Sequence, residues 1–272
     1  MLLDVRGVRI AVSTFGSATD PAVLLIMGAG GSMDWWEPEF CARLAAAGRY
    51  VIRYDHRDTG ESVSYPPGRP GYTGDDLVAD AAGVLDALGV ARAHVVGLSM
   101  GGALAQLLAQ REPARLITLT LMSTSGGAGD PDLPMGSIEP VPEPDWTSRD
   151  SVVDYQVASQ RGVASRTRPF DDAAVREVVG IAFDRTTSPE SAEKNHYATE
   201  DGGESWRPRL PEIGVATLVL HGTEDPMFPL AHGEALAREI PGARLVPLPE
   251  TGHELPRENW PLVLRELVAH TS

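Results

Sequence analysis

Cysteine and lysine are almost missing from this 272-residue chain: Cys41 and Lys194 each stand alone in their kind. A single cysteine excludes an internal disulfide framework and a thiolate zinc site. Its place in an apolar helical stretch makes it a small core residue rather than a reactive thiol. Positive charge is also scarce. Against 38 acidic side chains there are 23 basic ones, a formal net charge of −15. Nucleic acid and anionic membranes require positive charge, so neither is an expected partner. No apolar run approaches the length of a membrane span, and no charged segment leads into a long apolar one at Met1. The expected setting is cytoplasmic, and the expected assembly is a monomer or homodimer. No His, Cys or Asp cluster has metal-ligand spacing, so neither metal nor cofactor is expected.

What is present is an alternation of strands and helices. Residues 2–6 and 8–14 read as strands around Gly7, and Ala22–Met27 as a central strand apolar on both faces. A helix is expected over Trp35–Ala47, stopped by Gly48, and a strand over Arg49–Tyr54. Leu77, Ala81, Val84, Leu85 and Leu88 share one helical face. A strand from Ala93, a helix near 103–108 and a strand over Leu116–Met122 follow. The alternation then stops. Residues 125–148 are rich in glycine and proline, and three helices are expected near Ser151–Arg161, Asp172–Asp184 and Pro189–Tyr197 with no strand between them. Beyond them come a strand at 215–220, a helix over Leu230–Glu239, a strand over Arg244–Leu248 and a helix over Trp260–His270. This pattern predicts an α/β fold, a mostly parallel central sheet with helices on both faces. Residues 1–124 and 208–272 would form its core, and 125–207 a helical cap insertion.

The stretch Gly97-Leu98-Ser99-Met100-Gly101 lies between an apolar strand and a good helix sequence. Strand, G-x-S-x-G, helix is the context of a nucleophile elbow. Small residues flank such a serine because strand and helix backbones pass close together. A serine hydroxyl needs a base, and the base needs a carboxylate to fix its tautomer. In chain order the partners should follow as acid, then histidine, in loops after later strands. Asp225 lies past the strand at 215–220, and His253 past the strand at 244–248. Glu224 is the rival acid; Asp225 is preferred because it immediately precedes Pro226. His56 lies in a polar loop on the same face and is a weaker candidate for substrate contact. His94, His196, His221, His232 and His270 read as structural or solvated.

An oxyanion hole needs two N–H donors aimed at the developing charge. Met100, directly after the serine, supplies one. The glycine-rich loop Gly28-Ala29-Gly30-Gly31 supplies the other, from Ala29 or else from Gly28 or Gly30. Gly28 and Gly30 are also candidate substrate contacts. Trp35 and Trp36 are candidates for an acyl pocket, with a core position the alternative for at least one. From the insertion, Trp146, Tyr155 and Phe183 are candidate pocket residues.

With these residues assembled, the chain resembles the α/β-hydrolase superfamily over nearly its whole length. Val51–Gly60, His94–Gly101, His232-Gly233 and Ile240-Pro241 are similar to the aclacinomycin methylesterase group, which acts on esters of polyketide-type compounds. The resemblance implies Ser99, Asp225 and His253 as triad, Ala29 and Met100 as oxyanion donors, and a small-molecule ester as partner. It fades across 125–207, the part that would choose the substrate. The expected activity is a serine carboxylic-ester hydrolase acting on a small, hydrophobic or aromatic molecule through an acyl-enzyme. A lactonase, C–C hydrolase or cofactor-free perhydrolase would use the same triad. A haloalkane dehalogenase is disfavoured, because its nucleophile would be a carboxylate where Ser99 stands. A non-catalytic ligand receptor is the reading of a different class.

Overall fold

Short runs of β-branched and aliphatic residues with no polar face can only be satisfied between two covering layers. In the computed structural model, which describes residues 1–127, 132–199 and 205–272, such runs form the middle of an eight-stranded sheet. The strands are β1 (Leu2–Val5), β2 (Val8–Phe15), β3 (Ala22–Ile26), β4 (Tyr50–Tyr54), β5 (Ala93–Leu98), β6 (Leu116–Met122), β7 (Thr217–Gly222) and β8 (Arg244–Leu248). Their order is β1-β2-β4-β3-β5-β6-β7-β8. Only the pairs β1–β2 and β2–β4 are antiparallel; from β4 to β8 the sheet is parallel.

Alternate residues of one strand face opposite layers. Leu24 and Ile26 join Leu77, Val84 and Leu85 of α2 (Gly74–Ala87) and Leu104 and Leu108 of α3 (Met100–Arg111). Val23 and Leu25 join Phe40, Cys41 and Leu44 of α1 (Pro38–Ala46) and Trp260, Val263 and Leu267 of α8 (Trp260–His270). Burial in that second layer pushes the Cys41 thiol up to about 12, so it stays a protonated packing group. On the first layer, α7 (Ala231–Glu239) adds Leu236. The expected mostly parallel sheet, covered on both faces, is the one observed.

Two boundaries differ from expectation. The helix expected from Trp35 begins at Pro38, because proline is pre-set for the first helical position. Met33–Trp35 form a separate 3-10 turn ahead of it. Strand β7 also runs to Gly222, so His221 belongs to the sheet rather than to the loop beyond it.

Between β6 and β7 lie α4 (Arg149–Val163), α5 (Asp172–Arg185) and α6 (Pro189–Asn195), the three helices expected there. Each starts on a side-chain cap, from Ser148, Asp171 and Ser188 respectively. Parts of the expected insertion, 128–131 and 200–204, lie outside the described residues. These three helices are bound to loops at the carboxyl end of the sheet. Arg185 pairs with Asp34 and Asp55, Asn195 Nδ2 donates to Asp58 Oδ2 at 2.9 Å, and the His253 amide donates to the Val163 carbonyl at 2.7 Å. Among the described residues no helix is long and apolar enough to cross a membrane.

Strand β3 and helix α3 touch through backbone. A Cβ on Gly101 would stand 2.2 Å from the Ile26 carbonyl oxygen and 2.6 Å from that of Met27. No side chain can swing away there, so Gly101→Ala is expected to destabilise the fold by about 2–3 kcal/mol, in the upper range for overpacking. Urea unfolding measures it; an unchanged midpoint would contradict this contact.

Candidate active site

Ser99 sits at the junction of β5 and α3 with φ 54° and ψ −121°, outside the basins that L residues favour. Its neighbours hold it there. The Ser99 amide donates to the Met122 carbonyl at 2.9 Å. Its carbonyl accepts from the Gly102 amide at 2.8 Å, the Ala103 amide at 3.2 Å and the Thr124 hydroxyl at 2.8 Å. Gly97 is required because a Cβ there would stand 2.1 Å from the Gly101 oxygen. Met100 is the first residue of α3, where an amide has no acceptor within its own helix. Its side chain packs into the core.

Asp225 and His253 arrive from successive loops beyond β7 and β8. Asp225 Oδ1 accepts the amides of Met227 and Phe228, both at 2.9 Å, reaching past Pro226, which has no N–H. Its Oδ2 lies 2.8 Å from His253 Nδ1. An ionised carboxylate only accepts, so this bond assigns the proton to Nδ1 and leaves Nε2 with a lone pair. The Phe228 ring packs on the imidazole with centroids 5.4 Å apart. The Asp225 side chain is fully covered and that of His253 nearly so. His221 helps to hold the acid loop, its Nε2 donating to the Phe228 carbonyl at 2.7 Å.

Glu224 faces elsewhere. It accepts from the Thr167 and Ser165 hydroxyls and from the Arg166 and Thr167 amides, so it anchors the segment that follows α4. Those bonds, the Thr167 hydroxyl first, hold its carboxyl down to about 2. Nearby, Glu254 accepts from the Ser165 amide at 2.9 Å and pairs with Arg168.

The glycine loop after β3 packs against the serine, with a Gly28 Cβ position 3.2 Å from Ser99 Cβ. Its amides divide into two groups. The Gly30 amide donates to His196 Nδ1 at 2.9 Å, and the Gly31 amide turns back to the Gly28 carbonyl at 3.3 Å. Gly30 is thereby removed as an oxyanion donor. Among the described residues, Gly28 and Ala29 keep amides without a partner.

Ser99, His253, Gly28, Ala29, Gly30 and Trp35 line one cleft of about 420 Å³. Helices α4 and α5 roof it by equivalent faces. From α4 come Gln156, Ser159, Gln160 and Val163, and from Asp171 and α5 come Asp171, Ala174, Val175 and Val178. Each set has the spacing i, i+3, i+4, i+7 of a single helix face. That spacing was open to reading in the sequence, but the α4 face is mostly polar and does not register as an apolar stripe. Leu98, Ile138, Val141, Phe170, Met227 and Leu255 add apolar wall.

Four expected pocket residues fall outside this cleft. Trp36 is completely buried in the α1–α8 layer against Phe40. Of two adjacent tryptophans on a tight turn, only Trp35 faces outward. Trp146 packs edge-on against Tyr155 and under the Lys194 ammonium. Tyr155 stands behind the lining, its hydroxyl donating to Glu193 Oε1 at 3.0 Å. Phe183 borders a separate cavity of about 50 Å³, reached past Trp35 and Gly30. His56 does not reach the cleft either: it is buried, donates from Nε2 to the Met27 carbonyl at 2.9 Å, and burial takes it down to about 4. The loop residues Asp55 to Thr59 are buried with it. Burial raises Asp55, and Arg185 opposes that shift.

An alpha/beta hydrolase family model matches residues 23–266. Rhodomycin D methylesterase DauP from Streptomyces sp. (strain C5) is 36% identical over 94% of this chain and 92% of its own length. Rhodomycin D methylesterase DnrP from Streptomyces peucetius is 33% identical over the same shares. Among solved structures, the enol-lactonase from Burkholderia xenovorans LB400 superposes with a TM-score of 0.72 at 25% identity, covering 99% of both chains. The chain belongs to the alpha/beta hydrolase family, and within it to the carboxylic-ester hydrolases.

The two neighbouring acids can be separated by substitution. Asp225→Asn is expected to lower kcat by about 10⁴-fold, as loss of the tautomer-fixing carboxylate does in serine triads. Glu224→Gln should leave kcat within about threefold and lower thermal stability, because it loosens the segment after α4. Steady-state kinetics and melting curves of both variants test the assignment; the reverse pattern would transfer the acid role to Glu224.

Proposed function

We propose that the chain hydrolyses a carboxylic ester of a small, hydrophobic or aromatic molecule through an acyl-enzyme on Ser99. The observation that carries this reading is the 2.8 Å bond from His253 Nδ1 to a covered Asp225, with His253 and Ser99 lining the same cleft. Ser99 Oγ attacks the ester carbonyl while His253 Nε2 takes its proton. The amides of Ala29 and Met100 receive the developing oxyanion, each donor of this kind being worth about 2.7–4 kcal/mol. His253 then protonates the leaving alcohol, and water, activated by the same imidazole, releases the acid. The attack needs the lone pair on His253 Nε2, which the Nδ1 bond to Asp225 leaves free.

Residues 125–207 act in this reading as the cap that selects the ester, over a core of 1–124 and 208–272. The walls of Trp35, Phe170, Leu98 and Leu255 suit an apolar or aromatic acyl group. The methylesterase names of the two Streptomyces relatives favour a small alcohol as leaving group. A lactone is the second reading, favoured by the full-length likeness to an enol-lactonase. It requires no change in the reacting groups, since only the tether between acyl and alcohol differs.

A panel of aryl-acid methyl esters, short-chain esters, thioesters and lactones, with product identification, separates the two. Ser99→Ala is expected to reduce turnover of the best substrate to background while the melting curve stays that of the parent. Undiminished hydrolysis would overturn the assignment, and failure of a fluorophosphonate to label Ser99 would favour the receptor reading. Trp35 borders both cavities. Trp35→Ala should join them and raise relative kcat/KM for longer or bulkier esters by about tenfold, read from a chain-length series.

A further inference from the structure

We infer that His196, a cap residue just beyond α6, is a positioning residue that sets the oxyanion loop. The inference rests on the proposed ester hydrolysis at Ser99. His196 spans the gap between cap and core with both ring nitrogens. Nε2 donates to the Arg57 carbonyl at 2.9 Å, so Nδ1 carries a lone pair, and it accepts the Gly30 amide at 2.9 Å. That amide belongs to the planar Ala29–Gly30 peptide. Holding its N–H fixes the plane of the peptide directly after the Ala29 amide, at a glycine with φ +71° that has little steric preference of its own.

The ring is itself firmly seated. Asn195 Nδ2 donates to Asp58 Oδ2 at 2.9 Å, and Ser191 Oγ donates to the Tyr65 carbonyl at 2.7 Å. His56 and Tyr72 flank the imidazole edge-on, with centroids 5.6 and 6.4 Å away. Burial, reinforced by His56, lowers His196 to about 4, which keeps Nδ1 an acceptor at neutral pH. Without this bond the Gly30 N–H is free to turn toward the cleft, and the Ala29 donor loses its fixed direction. Oxyanion stabilisation depends on such preorganisation. The cap therefore completes the catalytic loop as well as covering it.

The test compares His196→Ala, His196→Asn and His196→Gln in the full-length enzyme, with active sites counted by fluorophosphonate titration. The Ala variant should lose about 10–100-fold in kcat per titrated site, with KM within threefold. The inhibition constant of phenylboronic acid, whose tetrahedral serine adduct places a hydroxyl in the oxyanion hole, should weaken by a similar factor. Asn presents an acceptor where Nδ1 stood and should recover most of the loss. Gln reaches toward the Nε2 position and should not. If the Ala variant does not fold, the Asn and Gln pair still decides. Equal kcat and boronate affinity in Asn and Gln, or a loss confined to KM or to the titrated fraction, would overturn the inference. A parent enzyme that is not labelled at Ser99 would instead overturn the ester-hydrolase reading beneath it.

Discussion

The contact of two backbones at the end of β3 governs the rest of the molecule. Helix α3 begins almost against the carbonyls of Ile26 and Met27, and only glycine at 101 permits the approach. That approach forces the strand-to-helix turn to be sharp and leaves Ser99 at φ 54°. A residue held in that region typically costs 1–3 kcal/mol, offset here by the bonds to the Ser99 carbonyl from Gly102, Ala103 and Thr124. The same closeness sets the glycine loop after β3 beside the serine. Relaxing the turn would displace Ser99 and the glycine loop together.

Much of this was legible in the sequence, and the reasons are physical. Runs such as Ala22–Ile26 and Ala93–Leu98 have one structural solution in a chain this long, a strand covered on both faces. The meeting of Ser99, Asp225 and His253 at one place was legible because G-x-S-x-G, an acid before Pro226 and a histidine past the last strand each follow a strand that ends at the same sheet edge. The choice between Glu224 and Asp225 rested on one residue of spacing. The structure shows why the neighbour differs: Glu224 is saturated by the segment after α4, while Asp225 keeps one oxygen for His253. The pocket was poorly legible. Trp36, Trp146, Tyr155 and Phe183 were sought as aromatic lining, yet aromatic rings also fill cores. Nothing local distinguishes Trp35 from Trp36 until the turn at Met33–Trp35 points one inward. His196 carried no sequence signal at all, since its partners Gly30 and Arg57 lie more than a hundred residues away.

Charge has an internal use here beyond the acidic surface. Arg57 forms a buried two-point pair with Asp80, at 2.7 and 2.9 Å. Arg185 enters from α5 to meet Asp34 and Asp55. Planar guanidinium groups suit such partly buried pairing better than an ammonium would. In a chain with one lysine, arginine supplies the ion pairs that tie α4–α6 and the segment after α4 to the sheet-edge loops, Arg185 to Asp34 and Asp55 and Arg168 to Glu254. Removing one partner from such a pair would leave a covered charge without compensation, an expensive state.

The roof of α4–α6 and His196 is fastened at several points along the sheet edge. Val163 holds the His253 loop, Arg185 holds the start of the loop after β4, Asn195 holds Asp58, and His196 holds the loop after β3. A lid that swings needs a hinge on one side and a free margin on the other; this roof is attached to three loops of the working face, those after β3, β4 and β8. Raising it in one movement would disassemble the site it covers.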